Sequence, residues 1–75
     1  MKITHSVSTD QAYIALKEIG RGEAVFQHSV ADERLGATVV LDISAEGRLI
    51  GIDVMGAARG LPPEILERAE KIDTG

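Results

Sequence analysis

Between Ala37 and Met55 the sequence reads as two β-branched runs around a short polar segment, and this pattern restricts the fold more than any other. Ala37-Thr38-Val39-Val40-Leu41-Asp42-Ile43 leads into Ser44-Ala45-Glu46-Gly47, then Arg48-Leu49-Ile50-Gly51-Ile52-Asp53-Val54-Met55. Two such runs joined through glycine predict a β-hairpin. A four-residue loop with Gly47 left-handed pairs Ile43 with Arg48, Leu41 with Ile50, Val39 with Ile52 and Ala37 with Val54. Those side chains then share one face, and Thr38, Val40, Asp42, Leu49, Gly51 and Asp53 share the other. A three-residue loop shifts the pairing by one and mixes Asp53 with Leu41, so apolar segregation favours the longer loop.

Weaker strand signals precede the hairpin. Met1 to Thr4 begins a strand, and Ser6 to Asp10 is polar and turn-like. Ala12 to Lys17 alternates, with Ile14 and Leu16 on one side and Tyr13 and Ala15 on the other. Gly20-Arg21-Gly22 marks a turn. In Ala24 to Val30, Phe26 and Val30 face opposite to Val25 and Gln27, and 32–36 is a loop. After the hairpin the period changes. Leu61-Pro62-Pro63-Glu64 opens a helix over about 63–73, with Pro63 at the first helical position and a stripe of Ile65, Leu66, Ala69 and Ile72. The expected fold is α+β: a small antiparallel β-meander over about 1–56, with one C-terminal helix packed on one face.

The chain has 75 residues, enough for a single domain (1–75) and no more. A domain this small buries only about 60% of its unfolded surface, so its core is thin and pairing with a second chain would help it. The net charge is −4, from 8 Lys and Arg against 12 Asp and Glu, and only Tyr13 and Phe26 are aromatic. That is neither the phosphate-neutralising charge nor the stacking surface of a nucleic-acid binder, and it would repel an anionic membrane. There is no Cys, which removes disulfides and thiolate chemistry and fits a cytoplasmic protein.

Met1-Lys2-Ile3-Thr4 with Asp10-Gln11-Ala12-Tyr13-Ile14-Ala15-Leu16, and the stretch from Val40 to Val54, together resemble the prokaryotic family known as domain of unknown function 2283. That family shows an M-K-I-x-Y-D start, a D-A-L-Y-I strand and an L-D-x-D-x-x-G-x-I-V-G-I-E-I hairpin. The likeness spans roughly residues 1–58. It departs at His5-Ser6, where Tyr-Asp is usual, and at Gln11, and 17–36 gives it no support. The resemblance implies no activity. It implies an antitoxin-like or partner-binding role, because some members are encoded beside small toxin-like proteins.

Candidate chemistry is sparse. His28 falls on the Phe26 and Val30 side of its strand, where a packed or edge histidine is the ordinary reading. His5 lies beside Ser6 and Ser8, but adjacency in sequence is not a nucleophile–base geometry. A zinc site from His5, His28 and a carboxylate lacks metal-ligand spacing. Asp42 and Asp53 are two rungs apart on a diagonal, too far for a coupled carboxylate pair. Gly20-Arg21-Gly22 has no phosphate-loop context, and Gly56 and Gly60 read as turn glycines before the helix. The expectation is a non-enzymatic protein-interaction module without cofactor or metal. It would be homodimeric through an outer face carrying Tyr13, Val25, Val40, Leu49 and Met55, with a small basic toxin-like protein as a further partner. The alternative is a small hydrolase or metal-dependent enzyme using His5 or His28.

Overall fold

The structure, a computed structural model, describes residues 1–72. Its strands are β1 (Lys2–Ser6), β2 (Gln11–Ala15), β3 (Phe26–Ala31), β4 (Thr38–Ile43) and β5 (Leu49–Met55). Two short helices follow, α1 (Ala57–Gly60) and α2 (Pro63–Arg68), and then β6 (Glu70–Ile72). The α+β class holds. The sheet is mixed and is not a simple meander: its order is β3-β4-β5-β2-β1-β6, with β6 parallel to β1 and the other neighbours antiparallel. The β4–β5 hairpin inserts β5 beside β2, so the chain after β2 must cross to reach the far edge.

The helix expected over 63–73 is cut to six residues. Pro63 occupies its first position as expected. At Ala69 the backbone turns extended, with φ −68° and ψ 140°, and 70–72 lie along Thr4–Ser6. The physical reason is the open edge of β1. Its backbone donors and acceptors find strand partners there, which offsets the few helical bonds that three more residues would add. Residue 73, the predicted end of that helix, lies outside the described residues. Gly60 also differs from expectation, since it ends α1 instead of forming a turn.

The hairpin register differs too. Leu41 opposes Ile52, not Ile50, and Val39 opposes Val54. Ser44 accepts at its carbonyl from Gly47 and donates its own N–H to Arg48, so the loop is the three-residue form, with Gly47 at φ 82°. That loop alone would have mixed the faces. A bulge corrects it: Asp42 opposes Gly51 and Ile43 opposes Leu49, leaving Ile50 as the extra residue. The inserted residue restores the alternation, so Leu41 and Ile52 share a face again. Ile50 is buried, at 4% exposure. The cost falls on Leu49, which opposes Ile43 and so leaves the face of Val40 on which it was expected.

The core lies on the side of Ala12, Val54 and Ala57, with Ala37, Val39, Ile52, Leu61 and Leu66 packed against it. Leu61 and Leu66 sit just before the cap and at the fourth position of α2, the spacing of a hydrophobic staple. Among the described residues Val54 is the one large side chain that is wholly enclosed. Two glycines allow α1 to approach β4. A Cβ at Gly60 would stand 2.4 Å from the Ala37 Cβ, and one at Gly36 would stand 2.9 Å from the Arg59 Cβ.

Candidate functional site

Two polar clusters are built on opposite sides of the sheet. The outer one starts with strand alternation. Tyr13, Asp53 and Val40 stand in one row across β2, β5 and β4, and Gly51 and Asp42 stand in the row beside it. Gly51 has no side chain, and Tyr13 lies across the gap: a Cβ there would come within 1.9 Å of the phenol oxygen. The Tyr13 hydroxyl thereby donates to Asp42 Oδ2 at 2.6 Å, a charge-assisted bond. Gln27 Nε2 on β3 donates to the other Asp42 oxygen at 3.0 Å. The carboxylate is buried, at 6% residue exposure, with a donor on each oxygen. Burial pushes the Tyr13 phenol well above its ordinary range, and the Asp42 carboxylate pushes it further, because a phenolate beside it would be a second negative charge. At neutral pH Tyr13 is a fixed hydrogen-bond donor and no nucleophile. Asp53 is engaged separately by Gln11, whose Nε2 lies 3.0 and 2.9 Å from its two oxygens. Shallow depressions flank the ring, one beside Thr4, Gln11 and Ile72, the other beside Lys2, Ala15 and Ile19.

The inner cluster is a latch. Asp10 adopts φ 55°, a left-handed conformation that Asp tolerates better than most residues. Its carbonyl accepts the N–H groups of Gly56 and Ala57, each at 3.0 Å. Its carboxylate accepts the Ala58 N–H at 3.1 and 3.2 Å. One residue thus caps α1 from the β1–β2 turn. His5 Nε2 donates to Asp10 Oδ1 at 3.0 Å, while the buried His5 Nδ1 has no hydrogen-bond partner among the described residues. The His5 hydrogen bond, then the Ala58 N–H, hold the Asp10 carboxyl below its usual range. The folded pKa is lowered, so the linked stability is present above the unfolded value of about 3.8 and is lost as pH falls through the lower folded value. Asp10→Ala, which removes both the acceptor and the tolerance of positive φ, should lower the thermal midpoint more than Asp10→Gly, and Asp10→Asn least. Equal midpoints for the Ala and Asn variants in a thermal melt would remove this account of the latch.

The structure thus separates several sequence candidates. His5 is buried on the inner side, and Ser6, its neighbour in the same strand, points to the other face. Ser6 Oγ lies 3.3 Å from Ser8 Oγ. His28 is exposed on β3 opposite Leu41. Among the described residues no group of three or more His, Cys, Asp or Glu gathers into a metal-ligand set. Of the expected interface residues, Tyr13 and Val40 share the outer face in register, Met55 stands beside Thr38 and Gln11, and Val25 is exposed just before β3. Leu49 is exposed beyond the bulge, off that face. The Tyr13–Asp42–Gln27 contact and the Asp10 latch were not anticipated. The available signal for the first was Gly51, since a glycine inside a strand often marks a close approach. Compared with known proteins, the chain matches no family model, no curated protein and no solved structure. Among the described residues no helix is long and apolar enough to cross a membrane.

Proposed function

We infer that this chain is a non-enzymatic protein-interaction module that acts as a homodimer. The observation that carries this reading is the distribution of apolar side chains. Among the described residues only Val54 of the large ones is wholly enclosed, while Val25, Phe26, Val30, Leu49 and Met55 are each between 38% and 56% exposed. Burying a side chain of this kind contributes about 1.5–3 kcal/mol, so a second chain is the natural source of stability that this core lacks. The polar groups best placed for chemistry instead hold the fold: Asp42 takes Tyr13 and Gln27, and Asp10 takes His5 and Ala58. Sedimentation equilibrium at micromolar concentration tests the dimer. A single 8.0 kDa species across the range would end this reading.

A sharper form makes the module the acidic, antitoxin-like partner of a small basic toxin-like protein in the cytoplasm. The −4 net charge and the resemblance to domain of unknown function 2283 support it. Co-purification with the product of the adjacent gene is the expected result, and no complex at low salt would dismiss it. The hydrolase or metal-dependent alternative rests on single histidines. Titration with zinc, manganese or nickel, followed through the histidine NMR signals, discriminates it; unmoved signals would remove its metal version.

A further inference from the structure

The two edges of the sheet are treated differently. β6 is three residues long and carries Glu70 and Lys71, and Glu70 also reaches Lys2 at 3.5 Å. Short, charged edge strands are the usual protection against pairing with another chain. β3 is six residues, Phe26-Gln27-His28-Ser29-Val30-Ala31, every one exposed, with no Asp, Glu, Lys, Arg or Pro among them. In a chain of net charge −4 this is an edge where two copies can meet without formal-charge repulsion. Asp32 just beyond it is already paired with Arg34 at 2.8 Å.

Hydrogen-bond phase shows which groups this edge offers. Ser44 directs its N–H to Arg48, towards β5. Alternation along β4 then turns Ile43, Leu41 and Val39 towards β3, and the Ile43 carbonyl does accept the Val25 N–H there at 3.0 Å. Their partners Phe26, His28 and Val30 point back to β4. The N–H and C=O groups of Gln27, Ser29 and Ala31 are left directed outwards from the sheet.

We propose that β3 pairs antiparallel with β3 of a second copy about a two-fold axis through His28, joining the two sheets into one. This rests on the reading of the chain as self-associating and names the surface. A two-fold normal to the sheet keeps like faces together, so the axis must pass through a residue position. Centred on His28, Phe26 opposes Val30 of the second copy, Gln27 opposes Ser29, and His28 opposes itself. On one face the two Phe26–Val30 pairs flank the central histidine pair, and on the other Gln27 meets Ser29. Gln27 and Ser29 exchange backbone bonds with Ser29 and Gln27 of the second copy. Centring on Ser29 would instead set Phe26 against Asp32 and His28 against Val30.

The chain has no cysteine, so single cysteines read the register directly. His28 and its copy form a non-hydrogen-bonded pair with Cα atoms about 4.5 Å apart, within disulfide reach. His28→Cys is expected to oxidise to a linked dimer at least tenfold faster than Ser29→Cys or Gln27→Cys. Ser29→Pro removes an amide that faces away from β4, which an edge strand tolerates. It should keep the far-ultraviolet circular dichroism of the wild type and raise the dimer Kd at least tenfold. Equal cross-linking of the three cysteines, or a folded Ser29→Pro variant with an unchanged Kd, would overturn the edge pairing while a persisting wild-type dimer leaves self-association standing. A wild-type chain that sediments at 8.0 kDa throughout overturns both.

Discussion

Gly51→Ala is expected to cost about 3 kcal/mol or more of folding stability. The added Cβ would fall 1.9 Å from the Tyr13 oxygen and 2.6 Å from its Cζ, with Ile19 Cδ1 at 3.2 Å behind. No small adjustment relieves that overlap, so the ring must leave. Its departure takes the hydroxyl from Asp42 and leaves a buried carboxylate with one donor fewer. Overpacking costs about 1–3 kcal/mol, and stranding a buried charged acceptor adds about the same again. A domain of 75 residues has roughly 4–11 kcal/mol in all. The check is urea denaturation of a double-mutant cycle. In a Tyr13→Ala background the clash is gone, and Gly51→Ala should then be close to neutral. If Gly51→Ala changes stability by less than about 0.5 kcal/mol in the wild type, Tyr13 does not lie across that strand.

The second large effect is spectroscopic. Tyr13 is the only tyrosine and there is no tryptophan, so absorbance at 295 nm during alkaline titration reports one phenol. The signal should stay flat through pH 10, the ordinary value, and rise only at more alkaline pH or as the protein unfolds. The sign follows from linkage. The folded pKa is raised, so the contribution of the neutral phenol is fully present below the unfolded pKa of about 10 and is lost as pH climbs through the folded value. Asp42→Asn removes the repulsion towards a phenolate and should bring the rise part of the way down, because burial, the larger cause, remains. Tyr13→Phe should cost roughly 1.5–3 kcal/mol, the range for a hydrogen bond to a charged group. A phenol that titrates near 10 in the native protein would refute the contact.

These expectations depend on contacts that were unequally visible in the residues themselves. The β-branched runs around Gly47 announced the hairpin and its two faces, because alternation is a local property of a strand. The register was not visible, because a three-residue loop combined with a bulge at Ile50 reproduces, for every position but Leu49, the segregation of a four-residue loop without one. The stripe of Ile65, Leu66, Ala69 and Ile72 fitted a helix by period. What overrode it was the unpaired edge of β1, some sixty-five residues earlier in sequence, and no local window contains that information. The same holds for Tyr13 with Asp42 and for Asp10 with Ala58, which join positions 29 and 48 residues apart. The histidines were visible but their surroundings were not: strand alternation set His5 on the inner side and Ser6 on the outer, separating a pair that adjacency suggested.

The parallel match of Glu70–Ile72 to Thr4–Ser6 also orders events in time. A ribosome delivers the first strand long before the segment that flanks it, so that strand waits with one side unclaimed until 70–72 have been made. Loop closure over so long a separation carries a somewhat larger entropic penalty than nearer pairings do. The sealing of this margin is therefore expected to come late, and until it is taken the nascent chain exposes a pairing surface that the folded protein hides.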